Sequence, residues 1–180
     1  CRDRSDHLHH LLLPGRRSHE TTTLEVLHYI AGNGGSAADA EHIACELAGK
    51  FYLRRDPLPA IALSANTSSL TAIANDFGYE EVFARQVRGL LTKGDVVIGI
   101  STGGSSPNVI AGIEVANKND AISVAFTGKE GKLGQIAQYA LPVLSTDTPR
   151  IQEAHITAGH IICYLVERNL FGTNQPLTTS

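Results

Sequence analysis

His42 and Glu46 stand four residues apart in a stretch of helical spacing, which puts an imidazole and a carboxylate on one helix face. Such a pair can share a metal ion or simply hydrogen-bond at the surface, and two donors alone do not decide between these. A second group lies far along the chain, where Gln152, Glu153, His155 and His160 sit among Ile151, Ile156, Ile161 and Ile162. A helical histidine among apolar residues is by default a satisfied structural one, and His155 takes that role here.

Two loops could bind anions. Gly32-Asn33-Gly34-Gly35-Ser36 offers bare backbone N–H groups at a helix start, with Ser36 expected as the N-cap. Its spacing imitates a dinucleotide fingerprint, but residues 60–75 contain no Asp or Glu to hold a ribose hydroxyl. Ser101-Thr102-Gly103-Gly104-Ser105-Ser106-Pro107-Asn108 is the stronger phosphate cradle, crowded with hydroxyls and again opening a helix. It lacks the Gly-Lys-Ser/Thr of a P-loop, so it suits a sugar phosphate better than a nucleotide.

The elements that must carry these groups read as βα units around a parallel sheet. Apolar, β-branched runs at 24–31, 60–63, 96–100, 122–127 and 140–144 predict five strands. Stretches at 36–50, 67–74, 79–91, 107–117, 132–138 and 149–170 predict helices, with Pro107 and Pro149 suited to first turns. Residues 24–171 are expected to form one domain, residues 1–23 to be atypical or poorly ordered, and the polar tail 172–180 to fray.

Composition narrows the function classes. A 42% hydrophobic share with 18% charged residues over 180 positions excludes bulk disorder. Fifteen Lys+Arg against eighteen Asp+Glu, with no basic block, argue against a nucleic-acid partner. No apolar run approaches the roughly 20 residues that cross a bilayer. Cys1, Cys45 and Cys163 form neither a C-x-x-C pair nor a disulfide framework, and with no signal-like opening the expectation is a cytoplasmic protein. No methionine occurs, position 1 included, which points to a processed chain or a fragment.

Five motifs in order carry a resemblance: G-N-G-G-S-A-A-D-A-E-H-x-x-x-E, L-P-A-I-A-L, A-N-D-F-G-Y-E-x-V-F-A-R-Q-V, G-D-V-V-I-G-I-S-T-G-G-S-S-P-N-V and T-P-R-I-Q-E-A-H-x-x-x-G-H. Over about residues 31–170 the chain resembles the phosphoheptose isomerases, which are sugar-isomerase (SIS) domain proteins. The resemblance implies a three-layer αβα sandwich on a five-stranded parallel sheet, a cytoplasmic homotetramer and a zinc ion (Zn2+). It implies conversion of sedoheptulose 7-phosphate to D-glycero-D-manno-heptose 7-phosphate, the first step towards nucleotide-activated heptoses for lipopolysaccharide and other surface glycans.

Carried over by motif, the implied zinc ligands are His42, Glu46, Gln152 and His160. The implied substrate contacts are Asn33, Gly34 and Gly35 in the first loop, Asn75 and Asp76, Ser101, Thr102, Gly103 and Ser106 in the phosphate loop, and also Glu46 and Gln152. Gly103 stands where the family usually has serine, and Lys50 where it usually has arginine, which keeps charge but loses a bidentate fork. For an aldose–ketose isomerisation, Glu46 becomes the carboxylate that moves the proton, His160 its acid/base partner and zinc the Lewis acid. A carboxylate cannot be a tight ligand and a free base at once, so Glu46 is expected to bind loosely or to change coordination.

Gln152 and His160 pose a geometric problem, because eight residues span roughly 12 Å of straight helix. Either the helix is distorted, or subunits share the site, or Gln152 chiefly serves substrate. The resemblance also implies a long tetramer-building helix before the first strand, and the residues preceding Gly32 lack its apolar periodicity, so either a weaker oligomer or aggregation is expected. Two rival readings are a non-catalytic, partner-binding SIS module resembling the DnaA-initiator-associating proteins and a different sugar-phosphate isomerase. The first is disfavoured because such modules lose metal-site residues, whereas His42, Glu46 and His160 remain.

Overall fold

The structure, a computed structural model, describes residues 26–172. The expectations for residues 1–23 and for the end of the tail lie outside the described residues. Five parallel strands form one sheet: β1 (His28–Gly32), β2 (Ala60–Ala62), β3 (Val96–Ser101), β4 (Ile122–Thr127) and β5 (Tyr139–Pro142). Their order is β2-β1-β3-β4-β5, with Gly32 opposite Ile100 and Ser101 opposite Thr127. Six α-helices connect or follow them: α1 (Gly35–Ala48), α2 (Thr67–Phe77), α3 (Val82–Leu90), α4 (Pro107–Lys118), α5 (Lys132–Ile136) and α6 (Thr148–Phe171).

Strand alternation divides the side chains between two apolar layers, because successive residues point to opposite faces. Ile30, Ile98, Ile100, Val124 and Phe126 pack on one side against Ile43 and Leu47 of α1 and Ile162 and Val166 of α6. Tyr29, Ala31, Val97 and Ala125 pack on the other against Phe83 and Val87 of α3 and Val109 and Ile113 of α4. The fold is therefore the expected α/β three-layer sandwich. Gly159 lets α6 close on α1, since a Cβ there would lie 2.7 Å from the Ile43 side chain.

The connection from β1 runs to β2 on one side, while β3 lies on the other. The gap between β1 and β3 is thus the switch point of the sheet, where crevices open at the strands' carboxyl ends. Both glycine-containing loops singled out in the sequence emerge there.

Several boundaries move from expectation. Among the described residues the first strand begins at His28, because the Leu27 N–H is taken by the buried Asp95 carboxylate at 3.0 Å instead of a strand neighbour; residues 24 and 25 of the expected strand lie outside the described residues. The stretch 79–91 divides into a 3₁₀ turn at Tyr79–Glu81 followed by α3. The fifth strand ends at Pro142, leaving Leu144 83% exposed beyond it.

A buried ion pair fixes the far end of α1. Arg55 Nε donates to Glu167 Oε1 at 2.9 Å, with both side chains almost fully enclosed. The carboxylate also accepts the N–H groups of Phe51, Tyr52 and Leu53, and the guanidinium donates to the carbonyls of Glu46 and Leu47. Burial pushes the Glu167 carboxyl up, but those three N–H donors and Arg55 outweigh it and hold it below the usual range.

Candidate active site

The loop after β1 turns sharply. Gly34 has φ 55° and ψ −122°, a left-handed conformation that disfavours side chains. Gly34 is the N-cap of α1, and its carbonyl accepts the N–H groups of Ala37 and Ala38 at 3.0 and 3.3 Å. This corrects the expectation for Ser36, which lies inside the first turn, 4% exposed, and caps nothing.

The loop after β3 is held from three sides. Ser101 Oγ and Ser106 Oγ are 2.9 Å apart, Gly128 N donates to Thr102 O, and Leu133 N donates to Gly104 O. The N–H groups of Gly103 and Ser105 have no acceptor among the described residues, and both residues are exposed, which leaves these groups free to donate. A tight, neutral turn of free N–H groups at the first turn of α4 suits an anionic oxygen. Replacing Ser101 by Ala is expected to raise KM for a sugar phosphate about threefold to tenfold, through the lost tie to Ser106. Steady-state kinetics with inorganic phosphate as competitor checks this, and unchanged KM and phosphate inhibition would reduce the loop to a turn.

His42, Glu46 and His160 converge although 118 residues separate the two histidines. His42 Nε2 lies 3.3 Å from Glu46 Oε1 and 3.0 Å from His160 Nε2, and the three donor atoms lie within 4.8 Å of one another. Four-residue spacing on α1 supplies two of the donors, and the close packing of α6 supplies the third. The two separations made by His42, 3.0 and 3.3 Å, match a tetrahedral zinc ion, whose ligands at about 2.0–2.1 Å stand about 3.3 Å apart. Two imidazoles and one carboxylate with solvent access are also a catalytic donor set for that metal. The residues fit the ion.

Gln152 lies near the start of α6, about two turns before His160. α6 is one continuous helix from Thr148 to Phe171, and Gln152 sits in its first turns against Gly35, where a Cβ would collide with the Gln152 amide. Gly35 precedes His42 by about two turns of α1, so the eight-residue span on α6 is matched along α1 and not closed by a distortion. His155 is fully buried, with Nε2 3.1 Å from Thr127 O, but its Nδ1 has no hydrogen-bond partner among the described residues, so the satisfied structural role expected of it holds for one ring nitrogen only.

Asn75 and Asp76 are exposed near the end of α2, hydrogen-bonded to each other at 2.8 Å. They hydrogen-bond no other side chain of the site among the described residues. Two site neighbours were not singled out from the sequence. Asn108 exchanges two hydrogen bonds with Asn33, and the Tyr79 hydroxyl donates to Asn33 at 3.0 Å. Both residues lie in the motif strings, but only the fold brings them to residue 33.

A parallel sheet with anion-ready loops at its switch point, beside an open cluster of metal-type donors, is the arrangement of an α/β protein with a binding crevice suited to a small anionic ligand. Comparison with known proteins narrows the class. The SIS domain family matches residues 21–128. The phosphoheptose isomerase of Aquifex aeolicus (strain VF5) is 58% identical over 137 residues, covering 76% of this chain and 72% of that protein. The phosphoheptose isomerase of Thermodesulfovibrio yellowstonii is 59% identical over 143 residues, covering 79% and 71%. Among solved structures, the phosphoheptose isomerase GmhA from Neisseria gonorrhoeae superposes with a TM-score of 0.74 at 42% identity, covering 79% of this chain and 77% of that one. The chain belongs to the phosphoheptose isomerase family of SIS-domain proteins, and it is an isomerase. No helix among the described residues is long and apolar enough to cross a membrane.

Proposed function

We propose that this isomerase interconverts sedoheptulose 7-phosphate and D-glycero-D-manno-heptose 7-phosphate with a zinc ion held by His42, Glu46 and His160. The observation that carries the reading is the convergence of those three side chains in a chain whose relatives are phosphoheptose isomerases. The homotetrameric state, the cytoplasmic location and the place at the head of nucleotide-activated heptose synthesis belong to the same proposal.

An aldose–ketose isomerisation moves one proton between adjacent carbons and another between their oxygens, through an enediol. Ser101, Thr102, Gly103 and Ser106 hold the phosphate end with hydroxyl and N–H donors. Asn33, Gly34 and Gly35 face the sugar, together with Asn75 and Asp76 at the rim, and Gln152 serves this first loop rather than the ion. Glu46 takes the carbon-bound proton and returns it to the neighbouring carbon, while His160 exchanges the oxygen-bound proton. When bound, zinc supplies Lewis-acid stabilisation of charge on the substrate oxygen.

The test is turnover of sedoheptulose 7-phosphate in a coupled assay, with metal-stripped protein and with zinc restored. Activity that falls on stripping and returns with zinc is expected. Full activity in metal-free protein would remove the ion from the reading, and turnover of a different sugar phosphate alone would transfer the chain to another isomerase of the same fold.

A further inference from the structure

Asn33, Asn108 and Tyr79 form a hydrogen-bonded chain whose donors and acceptors can be assigned without ambiguity. Amide oxygen and nitrogen are not distinguished by shape, so the assignment must come from a partner with one possible role. The Val109 backbone N–H is that partner. It can only donate, and it lies 3.0 Å from one terminal atom of Asn108, which must therefore be Oδ1. The atom of Asn33 that lies 2.9 Å from this oxygen must then be the nitrogen. Asn108 Nδ2 in turn donates to Asn33 Oδ1 at 2.8 Å. The Tyr79 hydroxyl, 3.0 Å from the same Asn33 oxygen, must act as donor.

Both lone pairs of the Asn33 oxygen are thus spoken for, and one of its two N–H groups is occupied. A single N–H donor remains unpaired among the described residues. Asn108 is 2% exposed, so its amide is set by packing as well as by hydrogen bonds, whereas Tyr79 is 50% exposed at the rim. Asn33 occupies the loop after β1, and Asn108 the first turn of α4 just beyond the phosphate loop. The reciprocal amide pair therefore ties together the two loops at the switch point.

We propose that Asn108 and Tyr79 are positioning residues that hold Asn33 as a donor-only contact for substrate. The inference deepens the proposed function and rests on its placing Asn33 at the sugar. A locked donor accepts an oxygen lone pair of the substrate, such as that of a carbonyl, hydroxyl or phosphate, and offers nothing to a substrate donor. An unlocked asparagine could flip and satisfy either, at the cost of ordering its side chain on binding. The two partners thereby contribute selectivity without touching the reacting atoms.

The experiment compares Tyr79→Phe and Asn108→Asp in the wild-type background and in Asn33→Ala. Tyr79→Phe removes only a hydroxyl from a half-exposed ring, and Asn108→Asp keeps the acceptor for Val109 while replacing the donor to Asn33 with a second acceptor. The expected result is a KM for sedoheptulose 7-phosphate raised about threefold to tenfold by Tyr79→Phe and at least about tenfold by Asn108→Asp, with kcat changed less than about twofold. In Asn33→Ala both substitutions should leave KM unchanged, because the group they position is gone. Equal KM effects in the two backgrounds, or lowered thermal stability with unchanged KM, would overturn the proposal. Should Asn108→Asp fold poorly, Tyr79→Phe alone decides. The Asn33 side-chain amide resonances of substrate-free protein provide a second arm, expected to shift in Tyr79→Phe, and an unmoved signal overturns the lock whatever the activity. Wild-type protein inactive on the heptulose phosphate, together with a shifted resonance in Tyr79→Phe, would instead sink the proposed reaction and leave the lock standing.

Discussion

Replacing Glu46 with glutamine is expected to lower kcat by about three orders of magnitude while KM changes only a few-fold. The substitution keeps the side chain's shape and removes its capacity to take a proton, and positioned general bases contribute about 10²- to 10⁴-fold. Glu46 is partly buried, 3.3 Å from His42 Nε2, which holds its carboxylate in place, so an effect within that range is expected. The same residue is one of three metal-type donors, so the variant must be assayed at saturating zinc with its metal content measured. A loaded variant with reduced kcat assigns the proton transfer to Glu46. A loaded variant with unchanged kcat would move the base elsewhere, with Asp76 the next group to replace.

The sequence showed more of the site than its local patterns could explain. Strand positions and helix starts follow from short apolar, β-branched runs and from Pro107 and Pro149, which are local signals, and the structure places β3 and β4 within a residue of expectation. The two loops were legible because a glycine-rich turn between a strand and a helix has few other uses. His42 and Glu46 were visible as a pair for the same reason, since four-residue spacing is itself a contact. Their meeting with His160 was implied only by resemblance, because it depends on α6 packing beside α1, and no periodicity encodes which helices become neighbours. Asn108 stayed unnoticed behind the more conspicuous serines of its loop, and Tyr79 behind the Asn75-Asp76 pair. The expected Ser36 cap failed for a related reason: Gly34 turns the chain early enough to take the capping position by backbone geometry alone.

Arg55 and Glu167 are the residues least legible in the sequence and among the most costly to remove. Glu167→Ala is expected to destabilise the protein by about 3–5 kcal/mol, because it strands a buried guanidinium and three backbone N–H donors at once. At about 2–4 °C per kcal/mol for a chain of this size, the thermal midpoint should fall on the order of 10 °C. The wild-type contribution also has a defined pH dependence. The folded carboxyl is held below the ordinary glutamate value of 4.5, so its stabilisation is complete above that value and is lost as pH falls through the folded pKa. The stability gap between wild type and Glu167→Gln should therefore be widest near neutrality and shrink under acid conditions. Denaturant melts from pH 7 to pH 3 read both effects, and a gap constant with pH would mean that the carboxylate's charge is not what stabilises. The consequence reaches the site through the backbone: Arg55, held by Glu167, donates from Nη2 to the Glu46 carbonyl at 2.9 Å and from Nη1 to the Leu47 carbonyl at 2.8 Å. These carbonyls belong to the last turn of α1, where a helix leaves its acceptors unsatisfied. Without the ion pair that turn frays, and Glu46 loses its fixed distance to His42 and His160. Glu167→Ala protein should accordingly lose kcat even at temperatures where it remains folded, and retained kcat would show that the catalytic turn of α1 holds its shape unaided.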